Sequence, residues 1–352
     1  ISMNDKPRRS LMNVMSTQYV PSVNTLALAV FMDLKSDAKN LGLKVDKFPN
    51  GSTVIDATNG NFFVGAKVGE ICMGGLGSVD LTSMQVDGLY LPAVNVYTSQ
   101  PVIACMGSQY AGWQVKVKKE ITDENGEVKK KKWKAMSSGP ARARARVEKS
   151  LYQRIGYEDP AETAVTVFET AKAPTEDVMA YVAGKCNIEE KDTNAIWAPT
   201  KSIVGSVQIS ARVVETAIHK VFEVAHEKEY PIEDKIRLGQ GIAPIAPLDK
   251  NDLKAMGRTN DAILAGGNVN LFVDVPKDDE EHLWEIMAEV PSSTAEGYGE
   301  PFYKIFKNFD FDFYKIDPGI FAPALINVNN ISTGKCKTFG HLDFELLKKS
   351  FF

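Results

Sequence analysis

The stretch Trp197-Ala198-Pro199-Thr200-Lys201-Ser202-Ile203-Val204-Gly205-Ser206-Val207-Gln208-Ile209-Ser210-Ala211-Arg212-Val213-Val214-Glu215-Thr216-Ala217-Ile218 holds the most informative pattern in this chain. Thr200 or Ser202 is placed to cap a helix in which Ile203, Val207, Val214, Ile218 and Val221 form one apolar stripe, so the spacing predicts a helix over residues 203–228. Its other side is unusual. Gly205, Ser206 and Ser210 are small enough for something to approach closely, and Arg212 and Glu215, three residues apart, share a face. Two readings of that pair stand at this point. One is a surface ion pair stabilising the helix by a few tenths of a kcal/mol. The other is a charged pair inside a cleft, where arginine fixes the carboxylate and tunes it for general-base work on water.

Outward from this segment, strands and helices interleave. Residues 25–34 have helical spacing after a capping Ser22 or Asn24, and Leu43–Val45 and Ser52–Asp56 flank a Pro-Asn-Gly turn in hairpin fashion. Leu89–Val96 and Val102–Cys105 read as strands among the glycine clusters 74–77 and 107–112, which serve as tight turns or as a ligand-lining loop. Helical patterns are expected over 159–169, 175–185, 251–256 and 279–290. The class is therefore α/β, of mixed α+β character, as two α/β domains with an interdomain cleft. The division expected is an N-terminal domain over 20–200 and a C-terminal domain over 201–352.

Residues 116–134 stand apart. They hold eight lysines against four acids, and Asn125-Gly126 sits between two arms, a strong β-hairpin signal. A basic nucleic-acid arm with Trp133 for stacking is one reading. A solvated ribbon or oligomer contact is the other, and it is preferred: the chain carries -4 overall, so everything outside this +4 segment carries roughly -8 and repels a phosphate backbone.

Composition narrows the chemistry. With 352 residues, 44% apolar and 24% charged, the chain is long enough for a real core and has neither a disordered nor a disulfide-stapled profile. The four cysteines (72, 105, 186 and 336) lie far apart and read as reduced, buried thiols. Leu26–Met32 is too short to cross a bilayer, so a soluble, cytoplasmic protein without membrane partners is expected. Among four histidines, His219 and His226 share one predicted helix but lie too far apart for one metal, and read as ordinary helix residues. No metal site is expected. Gly74-Gly75-Leu76-Gly77 lacks the spacing of a dinucleotide fingerprint, and there is no P-loop.

Several long segments then resemble one family. They are Ile71–Leu76, Gly107–Gln109 with Ala111–Gln114, Ser138–Ala143, Ala198–Ala217, Asn251–Gly257 with Thr259–Asp261, and Asp312–Pro318. Over about residues 22–347 the chain resembles the methenyltetrahydromethanopterin cyclohydrolases. The resemblance implies reversible hydrolysis of N5,N10-methenyltetrahydromethanopterin to the N5-formyl form, with no metal or redox cofactor. It also implies a cleft between two α/β domains and assembly as a homotrimer. It places the family's catalytic arginine and glutamate at Arg212 and Glu215, where the carboxylate orients and deprotonates water against an electrophilic amidinium.

Ser138, Gly139, Arg142, Thr200, Ser206, Gln208 and Ser210 are the expected substrate-binding residues, with Ser137–Arg142 opening a helix that helps to hold an anionic group. Two departures from the family stand out. The 116–134 segment is longer and more basic than the connection usual there, and Ala243 stands where relatives commonly carry cysteine, so a thiol mechanism at that spot is not expected. A non-catalytic pterin-binding or assembly protein of the same fold is the alternative.

Overall fold

A computed structural model describes residues 20–122, 128–311 and 315–352. Helix α1 (Val23–Ser36) is followed by the hairpin β1 (Lys44–Lys47) and β2 (Thr53–Asp56), α2 (Phe62–Cys72) and the hairpin β3 (Ser78–Val86) and β4 (Leu89–Thr98). A π-helix, Val102–Gln109, leads to the ribbon β5 (Trp113–Thr122) and β6 (Val128–Ser138), then α3 (Ala141–Ala145), α4 (Lys149–Ile155) and β7 (Ala164–Glu169). Next come α5 (Glu176–Cys186), β8 (Thr193–Ala198), α6 (Ile203–Ser210), α7 (Val213–Glu227), β9 (Ile236–Pro244) and α8 (Asp252–Leu264). The chain closes with β10 (Asn268–Val273), α9 (Glu280–Ala288), α10 (Phe302–Asn308), β11 (Leu325–Asn330), β12 (Lys335–Gly340) and α11 (Phe344–Phe351).

These elements form an α/β fold around two mixed six-stranded sheets, ordered β1-β2-β8-β7-β6-β5 and β12-β11-β10-β9-β4-β3. The parallel run β2-β8-β7 of the first sheet is buried on both faces. Phe31, Leu34, Val64 and Ile71 of α1 and α2 cover Ile55, Val165 and Ile196 on one face, and Val178, Met179 and Val182 of α5 cover Phe168 and Trp197 on the other. In the second sheet Val94, Val96, Val269, Leu271, Ile326 and Val328 pack against Val214, Ile218 and Val221 of α7 and Leu283 and Ile286 of α9. The hairpin β3–β4, from the first half of the chain, belongs to this second sheet, with β4 paired to β9.

Local chemistry explains the ends of several elements. Ser22 caps α1 by accepting from the Thr25 amide, Ser202 caps α6 from Gly205, and Asn61 caps α2 from Val64. Helices α2 and α6 approach closely because α2 presents glycine: a Cβ on Gly65 would lie 2.6 Å from Val207 Cβ. The small residues ahead of the arginine–glutamate pair likewise serve this chain's own packing: a Cβ on Gly205 would lie 2.2 Å from the Pro199 carbonyl oxygen, and Ser206 and Ser210 bond to backbone carbonyls.

Four expectations are corrected. Val102–Cys105 begins a π-helix and not a strand, and the carbonyls of Met106, Ser108 and Gln109 later in that helix accept from Arg142 and Arg212. Residues 164–169, expected as helix, are strand β7: a run buried on both sheet faces has no alternation to distinguish it from helix. The single helix over 203–228 is two helices, broken at Ala211-Arg212. Cys336 is exposed on an edge strand, whereas Cys72, Cys105 and Cys186 are buried. The ribbon pairs as expected, from Trp113↔Ser137 to Thr122↔Val128, although its Asn125-Gly126 turn lies outside the described residues.

Candidate functional site

The break between α6 and α7 builds the site. Ser206 and Ser210, both buried, donate to the carbonyls of Ala246 and Pro244 and fix α6 to the segment that ends β9. At the break the Ala211 carbonyl is satisfied by Gln109 Nε2 at 3.0 Å, from the last turn of the π-helix. Arg212 is the half-helical residue before α7, which places Glu215 in the first turn of α7, where the helix dipole favours a carboxylate.

Arg212 is held in one orientation by three oxygens. Its Nη1 donates to the Gln109 carbonyl at 2.6 Å, and its Nη2 donates to Ser138 Oγ at 2.9 Å and to Gln208 Oε1 at 3.5 Å. Ser138 Oγ in turn lies 3.4 Å from Cys72 Sγ. The same guanidinium stands 3.8 Å from Glu215 Oε2, with both side chains buried. Each sheet contributes: Ser138 ends β6 of the first, while α7 packs against the second.

Burial pushes the Glu215 carboxyl above the usual glutamate range, and Arg212, His219 and Arg142 pull the other way. The result is a desolvated carboxylate, kept near a fixed cation, whose basicity exceeds that of an exposed glutamate. Burial likewise raises the Cys72 thiol, against Arg212 and its contact with Ser138, which leaves a neutral packing group.

Arg142 is fully buried and its donors are spent inside the chain. It reaches Glu148 through Nε at 3.1 Å and Nη2 at 2.9 Å, and through Nη1 the carbonyls of Ser108 at 3.0 Å and Met106 at 3.4 Å. Its guanidinium also lies 5.0 Å from the ring centroid of Tyr110. Gly139, at φ +92°, turns the backbone so that its amide meets the Ser108 carbonyl, a conformation that favours glycine. Thr200 donates to Glu169 Oε1 at 2.5 Å.

The seven residues expected to bind substrate therefore separate. Ser138 and Gln208 join Arg212. Thr200 joins Glu169, Gly139 and Arg142 brace the Gly107–Tyr110 backbone, and Ser206 and Ser210 brace α6. Three participants were not among the expected site residues: Gln109, Tyr110 and His219. Tyr110 and the imidazole of His219, one turn after Glu215, stack with centroids 4.8 Å apart. Gln109 and Tyr110 lie in the Gly107–Gly112 cluster, read as turn or ligand loop, and His219 was read as an ordinary helix residue. Asp261 ties together three helices instead, accepting from the Phe302 amide and Ser350 Oγ.

Comparison with known proteins places the chain. The family described as "Cyclohydrolase (MCH)" matches residues 22–351. A methenyltetrahydromethanopterin cyclohydrolase of Methanococcus vannielii is 41% identical over 334 residues, covering 94% of this chain and 98% of the relative. Proteins of the same name from Methanobrevibacter smithii and Methanocaldococcus jannaschii are 41% and 40% identical, covering 88% and 94% of this chain and 92% and 98% of their own lengths.

Proposed function

The chain belongs to the MCH cyclohydrolase family, and from that premise we propose that it hydrolyses the methenyl bridge of N5,N10-methenyltetrahydromethanopterin to the N5-formyl form, reversibly, at the Arg212–Glu215 pair. The observation that carries the residue assignment is the burial of Glu215 beside a guanidinium already fixed by Gln109, Ser138 and Gln208. Water bonds through its oxygen to the electrophilic methenyl carbon while Glu215 takes one of its protons. The C–N10 bond then breaks with its electron pair going to nitrogen, which takes up a proton, while the hydroxyl of the intermediate gives up its own proton and becomes the formyl carbonyl. Arg212 steadies the oxygen of the tetrahedral intermediate and keeps Glu215 in one rotamer.

Oxidation state does not change, so the reaction calls for no redox cofactor. Ser138 and Gln208 act by orienting Arg212, and Arg142 and Gly139 by holding the Gly107–Tyr110 backbone. Thr200, whose hydroxyl is oriented by Glu169, is a second polar contact for the pterin. A homotrimer in the cytoplasm is carried over from the family resemblance. Among the described residues no helix is long and apolar enough to cross a membrane.

A non-catalytic pterin carrier of this fold would have no use for a desolvated carboxylate paired to a fixed arginine. The test follows the loss of methenyl absorbance with purified protein. Glu215→Gln is expected to lower kcat by about 10²–10⁴-fold with KM largely kept, the range for removing a general base. Near-normal turnover by that variant would move the base elsewhere.

A further inference from the structure

Hydrolysis at this site produces a proton that must leave. The substrate is a cation and the product is neutral: of the two protons of water, one ends on N10 and one is released per turnover. That balance rests on the function proposed above. Glu215, the first acceptor, is buried, so the released proton needs a route.

Helix α7 carries a line of ionisable side chains with four-residue spacing: Glu215, His219, Glu223 and Glu227. Residues four apart lie on one helix face, with Cβ atoms roughly 5–6 Å apart. Exposure increases along the line. The side chains of Glu215, His219 and Glu223 are 6%, 19% and 29% exposed, and Glu227 is at the surface. His219 Nε2 lies 3.9 Å from Glu223 Oε1, one water or a small rotation from a hydrogen bond. Stacking on Tyr110 fixes the plane of the imidazole.

We propose that His219 and Glu223 relay the released proton from Glu215 along α7 to solvent, and return it in the reverse reaction. The step makes and breaks only N–H and O–H bonds. Glu215 gives its proton to one imidazole nitrogen, the other nitrogen gives one to the Glu223 carboxylate, and Glu223 gives it to water or buffer. Among the described residues, Cys72, Cys105 and Tyr110 face Glu215, and Tyr110 also faces Glu223. Arg212 and Arg142 act on Glu215, Lys220 and Arg142 act on His219, and Lys220, Glu227 and Asp317 act on Glu223. Burial raises both carboxyls and lowers the imidazole, which brings donor and acceptor closer in proton affinity than free glutamate and histidine are.

The experiment compares wild type, His219→Gln and Glu223→Gln in dilute buffer and in imidazole buffer at equal ionic strength. In dilute buffer each variant is expected to lose on the order of tenfold in kcat with KM unchanged, a loss at the low end for proton-transfer groups, and to recover as imidazole is added. A kcat unchanged in dilute buffer, or lowered equally at every buffer concentration, would overturn the relay and leave His219 a packing residue. Glu223→Gln, at a partly exposed position, keeps the test decisive where His219→Gln disturbs the Tyr110 stack. Absence of turnover by wild type would instead overturn the functional reading, and the relay with it.

Discussion

Glu215 must be desolvated enough to be a strong base and ionised enough to act as one. Those demands oppose each other, and the cost falls on stability. Its carboxyl titrates above the unfolded-chain value, so the folded state binds this proton more tightly than the unfolded state does. The stabilisation from that proton is fully present below the usual glutamate range and is lost as pH rises through the folded value. Glu215→Gln, which imitates the neutral carboxyl, is therefore expected to melt at higher temperature than wild type at pH 8, with the difference closing toward pH 4. Turnover by wild type should climb across the interval in which its stability falls. Thermal melts of both proteins over that range check this: a difference independent of pH would mean that Glu215 is not the titrating group. Arg212 and Glu215 were legible from their spacing and from the resemblance. Gln109 was not, because its contacts with Ala211 and Arg212 span more than a hundred residues and no local pattern records them.

At the scale of elements, the site depends on how tightly α2 holds α6. A glycine inside a helix ordinarily gains up to about 1 kcal/mol on becoming alanine. At Gly65 the sign reverses, since the new Cβ would lie 2.6 Å from the branched Cβ of Val207, which cannot swing away. Gly65→Ala is expected to destabilise by about 1–3 kcal/mol, and the double variant with Val207→Gly, which removes the Cβ it meets, to lose less than the sum of the two single variants. Chemical denaturation of the single and double variants measures it, and a stabilised single variant would show that the two helices do not meet this closely. Caps and hairpins such as Ser22, Ser202 and residues 44–56 were readable because their causes are local. The break at Ala211-Arg212 and the π-helix before it were not. Each leaves carbonyls that the other satisfies, so neither is set by its own residues alone.

Across the whole molecule, the two sheets do not divide where the sequence divides. A cut near residue 200 separates the composition into two plausible α/β halves, yet β3 and β4 cross it to complete the second sheet, and β4 lies directly against β9. Without that hairpin, residues 201–352 would expose the edge of β9 and lose Val94 and Val96 from the apolar cluster that includes Val269 and Leu271. Unpaired strand backbone and uncovered apolar surface both favour aggregation over folding. The same cut passes just ahead of α6, so the Ser138–Arg212 and Gln109–Ala211 hydrogen bonds would join two chains. Residues 201–352 expressed alone are thus expected to be insoluble or unfolded by circular dichroism, and co-expression with residues 1–200 to restore a soluble, active complex. A folded, soluble 201–352 fragment would show that the crossing hairpin decorates an independent domain, and the site would then depend on docking of two bodies that are each stable alone.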